Sequence, residues 1–216
     1  MPRQPSLTTL SGVAACVGAL SCHATVPRAA PASAPVDTVR VPRSDSAPTA
    51  RKRQGYTEAD VRFMQGMIAH HAQAISMAAM VPARTNRPNM RLLAERITVS
   101  QRDEIALMRH WLETRHEDVP AADAHRHMEA GHMASMPGML NEEELASLEK
   151  SSGLEFERLF LQYMIRHHEG ALTMVAELLA ARGAGQDPEV FRFAADVDAD
   201  QRAEILRMQT LQRELQ

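Results

Sequence analysis

The stretches MIAHHAQAISM (residues 67–77) and MIRHHEGALTM (residues 164–174) decide the fold of this chain. Each has Met, His, His and Met at the same spacing, and the second begins 97 residues after the first. At about 100° per helical residue, the two methionines and the first histidine of each stretch fall within an arc of about 80°. An arc of this width is the core-facing side of an amphipathic helix. We therefore predict two related helices whose Met and His side chains face a shared interior.

A second repeat indicates that the duplicated unit is a pair of helices. QRDEIALM (residues 101–108) recurs as QRAEILRM (residues 201–208), 100 residues later. Each half is therefore expected to be a hairpin of two long helices. Because each hairpin has one apolar stripe, the two hairpins can bury their stripes only against each other. We predict an all-α fold, an antiparallel four-helix bundle made of two duplicated helical hairpins plus a short extra helix.

Capping residues predict where the helices begin and end. The pairs expected to start helices are Thr57 with Asp60, Asn141 with Glu144, and Asp187 with Pro188. The predicted helices cover approximately residues 57–81, 88–116, 141–153, 154–182 and 187–216. Gly183 is expected to act as a C-terminal cap. Residues 117–140 contain two Pro, two Gly and no sustained apolar stripe, so they are predicted to be a loop.

Composition restricts the possible classes of function. The chain is 44% hydrophobic but only 4% aromatic, so its core is expected to be aliphatic and rich in Met. Residues 56–216 have 17 basic and 25 acidic residues, and this acidic balance argues against a nucleic-acid surface, which needs Lys and Arg. The chain has 14 Met and ten His but only two Cys, so its sulfur is almost entirely thioether.

The first 55 residues are predicted to precede the folded domain, which we place at 56–216. Residues 1–22 resemble an export or lipoprotein signal that is cleaved or lipidated, with Cys22 favoured over Cys16 as the processing site. Residues 23–55, rich in Pro, Ala, Ser and Arg, are predicted to be a disordered tether. We expect a periplasmic or cell-surface protein that contacts a membrane only through a lipid anchor. The alternative is a disordered cytosolic N-terminus with incidental cysteines.

The paired histidines are candidate metal ligands. Burying four imidazoles costs desolvation and hydrogen bonds that Leu would not demand, so a merely structural bundle has no need of them. Metal ligation is one way to satisfy these groups, and ordinary hydrogen bonding in the core is the alternative. The candidate ligands on the two helices are Met67, His70, His71, Met77, Met164, His167, His168 and Met174.

The predicted loop contains a second group of candidate ligands. Four methionines in a polar segment with Gly and Pro have no core to fill, although a solvated flexible loop is the alternative. Thioether and imidazole groups suit a soft monovalent ion such as Cu(I) or Ag(I), whereas Mg²⁺ and Ca²⁺ prefer oxygen ligands. The candidates in the loop are His125, His127, Met128, His132, Met133, Met136 and Met139.

Two carboxylates, Glu104 and Glu204, occupy equivalent positions of the repeat. They are candidates to accept hydrogen bonds from the histidine N–H groups. The alternative is that they face solvent or pair with the neighbouring Arg102 and Arg202. They are also the clearest candidates for a different function, because a di-iron or copper oxidase needs carboxylates on facing helices.

These motifs give the chain a resemblance to the bacterial family named domain of unknown function 305. The family signature, F-x-x-x-M-I-x-H-H-x-x-A-x-x-M, is matched by residues 63–77 and again by residues 160–174. The resemblance implies a ferritin-like four-helix fold and export to the periplasm or cell surface. In members that resemble copper-resistance proteins, it also implies copper binding through Met and His.

The two halves depart from each other directly after the paired histidines. Ala72 and Gln73 follow the first pair, whereas Glu169 and Gly170 follow the second, so the two half-sites are expected to differ. We predict an exported protein, not an enzyme, that sequesters copper, preferably Cu(I), with Ag(I) as a mimic. Its expected partners are the metal ion and other copper-handling proteins. A purely structural helical module remains the alternative.

Overall fold

The computed structural model describes residues 55–121 and 136–216. The predicted signal, nearly all of the tether and the middle of the predicted loop lie outside these residues. Five of the candidate ligands also lie outside them: His125, His127, Met128, His132 and Met133.

The described part of the chain is all-helical. Its helices are α1 (Glu58–Ala78), α2 (Val81–Arg84), α3 (Pro88–Thr114), α4 (Glu142–Lys150), α5 (Gly153–Ala180) and α6 (Pro188–Glu214). The four long helices and the short α4 match the sequence prediction. The short helix α2 was not predicted. The first predicted helix extends to residue 81, whereas α1 ends at Ala78 and a separate helical turn begins at Val81.

The predicted caps form the expected hydrogen bonds. Thr57 and Asp60 make a reciprocal capping box at the start of α1, and Asn141 makes a second one at the start of α4. The Asp187 carboxylate accepts from two backbone N–H groups in the first turn of α6. At the end of α5 the cap residue is Ala181, so the prediction that Gly183 caps this helix is wrong. Gly183, with a positive φ of 77°, lies two residues after the cap.

The long helices pack as two pairs, α1 with α3 and α5 with α6. The pairs meet mainly where α1 contacts α5, and α3 contacts α6 over a smaller area. Two apolar clusters fill the interior. Met67 and Met174 belong to one cluster, and Met77 and Met164 belong to the other. The paired histidines therefore lie between methionines that α1 and α5 contribute to both clusters. None of the described helices is long and apolar enough to cross a membrane.

Candidate metal centre

The first histidine of each pair meets its counterpart in the interior. The ring centroids of His70 on α1 and His167 on α5 are 3.8 Å apart, with an angle of 36° between the ring planes. Both side chains are almost completely buried, at 0% and 1% exposure. The close approach expected from the repeat is therefore present, and one imidazole comes from each half of the chain.

Residues 136–140 form a strap that lies across this pair. The carbonyl oxygen of Pro137 is 3.0 Å from His70 Nε2, so the ring donates to the strap backbone. A Cβ on Gly170 would lie 2.1 Å from the same carbonyl oxygen, and one on Gly138 would lie 2.6 Å from the carbonyl oxygen of Arg166. Two glycines without side chains thus allow the strap backbone to rest directly on α5.

The far end of the strap is held by α1. The side chain of Gln73 donates to the carbonyl oxygen of Leu140 at 3.0 Å, and its amide oxygen accepts from the Leu140 N–H at 2.8 Å. Glu144, which follows the strap at the start of α4, accepts two hydrogen bonds of 2.6 and 2.7 Å from Arg166 on α5. The strap is therefore fixed to both halves of the molecule.

The second histidine of each pair turns to a carboxylate. His71 Nε2 donates to Glu104 on α3, and His168 Nε2 donates to Glu204 on α6 at 2.6 Å. This confirms the predicted acceptor role of the two glutamates. The neighbouring Arg202 pairs instead with Asp198, which lies one turn before it on α6.

These acceptors determine which nitrogen of each imidazole is left as a base. A neutral imidazole that donates through Nε2 keeps an unprotonated Nδ1 with a free lone pair. Among residues 55–121 and 136–216, His70 Nδ1, His71 Nδ1, His168 Nδ1 and His167 Nε2 are buried and find no hydrogen-bond partner. Within this part of the chain all four histidines therefore carry a buried nitrogen that is available to a ligand.

Burial also keeps the stacked pair uncharged. Desolvation by burial, with a smaller electrostatic contribution from the neighbouring His71, lowers the pKa of His70 from 6.5 to about 3. Desolvation is again the main cause for His167, with smaller electrostatic contributions from the nearby His70 and His168, so its pKa is well below 6.5. Both rings are neutral at pH 7, which is the form in which imidazole binds metal ions.

The methionines are divided between the deep interior and the strap. Met67, Met77 and Met164 are fully buried, and Met174 is 9% exposed. Met136 and Met139 on the strap are half-buried. The end of Met136 reaches Gly66 on α1, beside the end of Met174.

Within residues 55–121 and 136–216, no three His, Cys, Asp or Glu side chains converge closely enough to hold a metal ion. Two of the four histidines are directed to separate glutamates, and only His70 and His167 stack. A metal site in this part of the chain would need further ligands beside these side chains, and the methionines around the histidines offer thioethers. Thioether with imidazole is the donor set that soft ions prefer.

The sequence did not identify the strap contacts. Gln73 and Gly170 occupy the same position of the 97-residue repeat, and both hold the strap. The Gln73 side chain hydrogen-bonds to Leu140, whereas Gly170, which lacks a side chain, lets the strap backbone approach α5. The sequence shows that the two halves differ at this position. It does not show the reason, because residues 136–140 contact α1 and α5 over a long distance in the sequence.

Comparison with known proteins gives a family match. Residues 60–212 match the family described as domain of unknown function (DUF305). An uncharacterised protein of Acanthamoeba polyphaga mimivirus is 39% identical over 56 residues. That match spans 26% of this chain and 37% of the viral protein.

Several solved structures resemble the chain. A DUF305 fragment from Deinococcus radiodurans is 35% identical with a TM-score of 0.64, covering 74% of this chain and 99% of the fragment. A DUF305 protein from Streptomyces coelicolor, described as a candidate secreted protein, is 28% identical with a TM-score of 0.62, covering 73% and 93%. CopM in its Cu(II)-bound form is 28% identical with a TM-score of 0.59, covering 73% and 97%. CopM has also been solved with Cu(I) and with Ag bound.

Proposed function

This chain belongs to the DUF305 family, and from that premise we propose that it binds copper as its cargo, preferably Cu(I), through methionine and histidine side chains. The observation that carries the proposal is the stacked pair His70 and His167, buried between methionines of both halves. Each ring has a buried nitrogen for which the described residues offer no hydrogen-bond partner. The protein would sequester the ion for copper tolerance or handling and pass it to other copper-handling proteins.

The chemistry of the donor set favours Cu(I) over Zn²⁺ and harder cations. Thioether sulfur is a soft ligand that does not titrate, whereas zinc sites in proteins are built from thiolate, imidazole and carboxylate. The two cysteines, Cys16 and Cys22, lie outside the described residues. CopM, solved with Cu(I), Cu(II) and Ag bound, supports the same choice of metal.

The proposed ligands come from the two helices and the central loop. Metal would be bound by subsets of this group, with the ends of the loop bringing thioethers toward the helices. The full set is Met67, His70, His71, Met77, His125, His127, Met128, His132, Met133, Met136, Met139, Met164, His167, His168 and Met174.

We also propose that the four long helices form an antiparallel, ferritin-like four-helix bundle. Met67 shares an apolar cluster with Met174, and Met77 shares the other with Met164. This pairing is expected when α1 and α5 run in opposite directions with the histidines at the crossing. The tether before the bundle would place it in the periplasm or at the cell surface, with Cys22 or Cys16 as a lipid anchor.

A di-iron or copper oxidase is the alternative for the same interior. Such an enzyme needs carboxylates with free coordination positions on facing helices. Glu104 and Glu204 each accept a hydrogen bond from a histidine, which favours a binding protein over a carboxylate-bridged centre.

Competition titration tests the proposal. The full chain carrying Cys16→Ser and Cys22→Ser, which removes thiolates, is titrated with Cu(I) against a chromophoric chelator and with Zn²⁺ against a zinc indicator. We expect Cu(I) to be bound more tightly than Zn²⁺. Replacing His70 and His167 by Gln should weaken Cu(I) binding by about tenfold or more, since changes beside metal ligands already cost that much.

His110→Gln is the matched control, because His110 is an exposed histidine on α3 away from the stacked pair. It should leave the affinity for Cu(I) unchanged. Equal affinity for Cu(I) and Zn²⁺, or equal effects of the two sets of His→Gln changes, would refute the proposed function.

A further inference from the structure

Gly66 on α1 leaves a recess between two methionine side chains. A Cβ placed on Gly66 would lie 3.4 Å from Met174 Cε and 3.8 Å from Met136 Sδ, and apart from α1 itself no other atom of the described residues lies within 4 Å. The methyl end of Met174 and the sulfur of Met136 therefore lie over the glycine. One methionine comes from α5 and the other from the strap, so the recess joins three parts of the chain.

The recess exists in only one half of the duplicated structure. The residue equivalent to Gly66 in the second half is Tyr163 on α5, which is half-buried and lies under the guanidinium of Arg166 at 5.4 Å from the ring centre. The methionine equivalent to Met174 in the first half is Met77, which is fully buried. The second half thus has a phenol at the position where the first half has no side chain and the ends of two methionines close by.

The strap contacts keep Met136 at this position. The Pro137 carbonyl accepts from His70, which lies one helical turn after Gly66 on α1. The next strap residue packs its backbone against α5, and Leu140 is held in both directions by Gln73. Met136 is consequently placed beside Met174 by backbone contacts, and the recess lies next to the buried imidazoles.

The recess differs from the histidine layer in its access to solvent. Gly66 and Met136 are half-buried, whereas His70 and His167 are at most 1% exposed. Met174 is 9% exposed, so an ion arriving from solvent would meet Met136 first, then Met174, and the imidazoles last. Two thioethers are a soft donor set that selects Cu(I) or Ag(I) over Zn²⁺, Mg²⁺ or Ca²⁺.

We propose that Met136 and Met174 form a two-thioether site for a soft monovalent cation, and that this site over Gly66 is the point of entry to the buried histidines. The proposal rests on the proposed function, since it assigns the first step of loading the same cargo. The site belongs to the first half only, because Tyr163 fills the equivalent position in the second half. Gly66 is required for the space that it leaves between the two methionines.

Methyl NMR with Ag(I) tests this site directly. The full chain, with Cys16→Ser and Cys22→Ser and with ¹³C in the methionine methyl groups, is titrated with Ag(I), a redox-inert probe. Met136→Leu and Met174→Leu identify the two signals and remove one ligand each. We expect these two methyl signals to shift together in the first part of the titration, and either Leu variant to abolish the shift of the remaining one.

Gly66→Ala separates a binding role from a structural one. The new methyl group would occupy the recess at ordinary contact distance, so Ag(I) affinity at the two methionines should fall several-fold. The thermal unfolding temperature should not decrease, because Ala is a better helix former than Gly. Met80→Leu, at a half-buried methionine in the other apolar cluster, should leave the two signals and their response unchanged.

The outcomes distinguish this site from the proposed function. If Ag(I) binds and shifts other methionine signals but not those of Met136 and Met174, the entry site is wrong and the proposed function stands. Unchanged Ag(I) affinity at these methionines in Gly66→Ala would also overturn the entry site. If no methionine signal responds and no Ag(I) is retained, both proposals fail.

Discussion

At the scale of single residues, the same hydrogen-bonding arrangement orients three of the four buried imidazoles. His70, His71 and His168 each direct Nε2 to an oxygen, either the Pro137 carbonyl or a glutamate carboxylate. Each such contact selects the tautomer in which Nδ1 keeps its lone pair. The acceptors differ in charge, so the three nitrogens are expected to differ in basicity, and those paired with a carboxylate should be the stronger ligands.

The neutral state of His70 and His167 predicts how the metal-free protein responds to pH. Both pKa values are lower in the folded chain than the value of 6.5 expected after unfolding, so the unfolded chain binds more protons. The stability that the two neutral imidazoles contribute is then fully present above about pH 6.5 and is lost as the pH falls. Each imidazole should cost about 1.4 kcal/mol of unfolding free energy per pH unit below that point.

Urea unfolding of the metal-free chain at pH 7, 6 and 5 measures this loss. We expect the free energy of unfolding to drop by about 2–3 kcal/mol between pH 6 and 5. The double variant His70→Gln and His167→Gln should show a much flatter dependence. A wild-type free energy that stays constant from pH 7 to 5 would contradict the buried neutral pair.

The sequence could identify the histidines but not all of their partners. Glu104 and Glu204 were identifiable as acceptors because they repeat with the histidines at a fixed spacing. The Pro137 carbonyl was not identifiable, because a backbone oxygen has no signature in the sequence. Gly66 lies inside the first copy of the repeat, yet the recess becomes visible only once Met136 and Met174 are placed over it.

At the scale of elements, the strap is what makes the two duplicated helices unequal. α1 contributes the Gln73 side chain and α5 contributes the bare backbone of Gly170, and the strap lies between them. If both helices had Gln at this position, a Cβ on α5 would collide with the strap backbone. If both had Gly, α1 would lose its hydrogen bonds to Leu140. The departure of the two half-motifs after their histidines is therefore a structural requirement of the strap.

Gly170→Ala should detach the strap without disrupting α5. The Cβ would lie 2.1 Å from the Pro137 carbonyl oxygen, a backbone atom that must then move. We expect a destabilisation of about 1–3 kcal/mol, typical of overpacking, despite the better helix propensity of Ala. Hydrogen exchange of the Leu140 N–H, which donates to Gln73, should become at least about tenfold faster.

Thr173→Ala provides the comparison for this change, because Thr173 lies nearby on α5 with an exposed side chain. Exchange at Leu140 should be unaffected there, and both variants should keep the helical circular dichroism of the wild type. Protection of the Leu140 N–H that survives in Gly170→Ala would mean that the strap is not held by close backbone contact.

At the scale of the whole molecule, the duplication accounts for the all-helical architecture of the described part. The repeated apolar stripes predicted two hairpins, and α1 with α3 and α5 with α6 are the strongest helix pairs. Helix starts were predictable because capping is local, as at Thr57 and Asp187. The path of residues 136–140 was not, because it depends on contacts with helices far away in the chain.

The duplication also explains why a metal centre is proposed at the contact of the halves. One imidazole from each half meets its counterpart, and methionines from both helices lie on either side of the pair. A single hairpin would expose these groups to water, where they have no advantage over other surface ligands. Burial by the second hairpin and the strap excludes water from them and thereby favours a weakly hydrated soft ion.

X-ray absorption at the copper edge tests the central claim most directly. The full chain carrying Cys16→Ser and Cys22→Ser is loaded with one equivalent of Cu(I), so that any sulfur bound to copper must be thioether. We predict a coordination sphere that contains both sulfur and imidazole nitrogen, with the nitrogen contribution reduced when His70 and His167 are replaced by Gln. Copper surrounded only by oxygen or nitrogen, or copper that does not stay bound, would contradict the account.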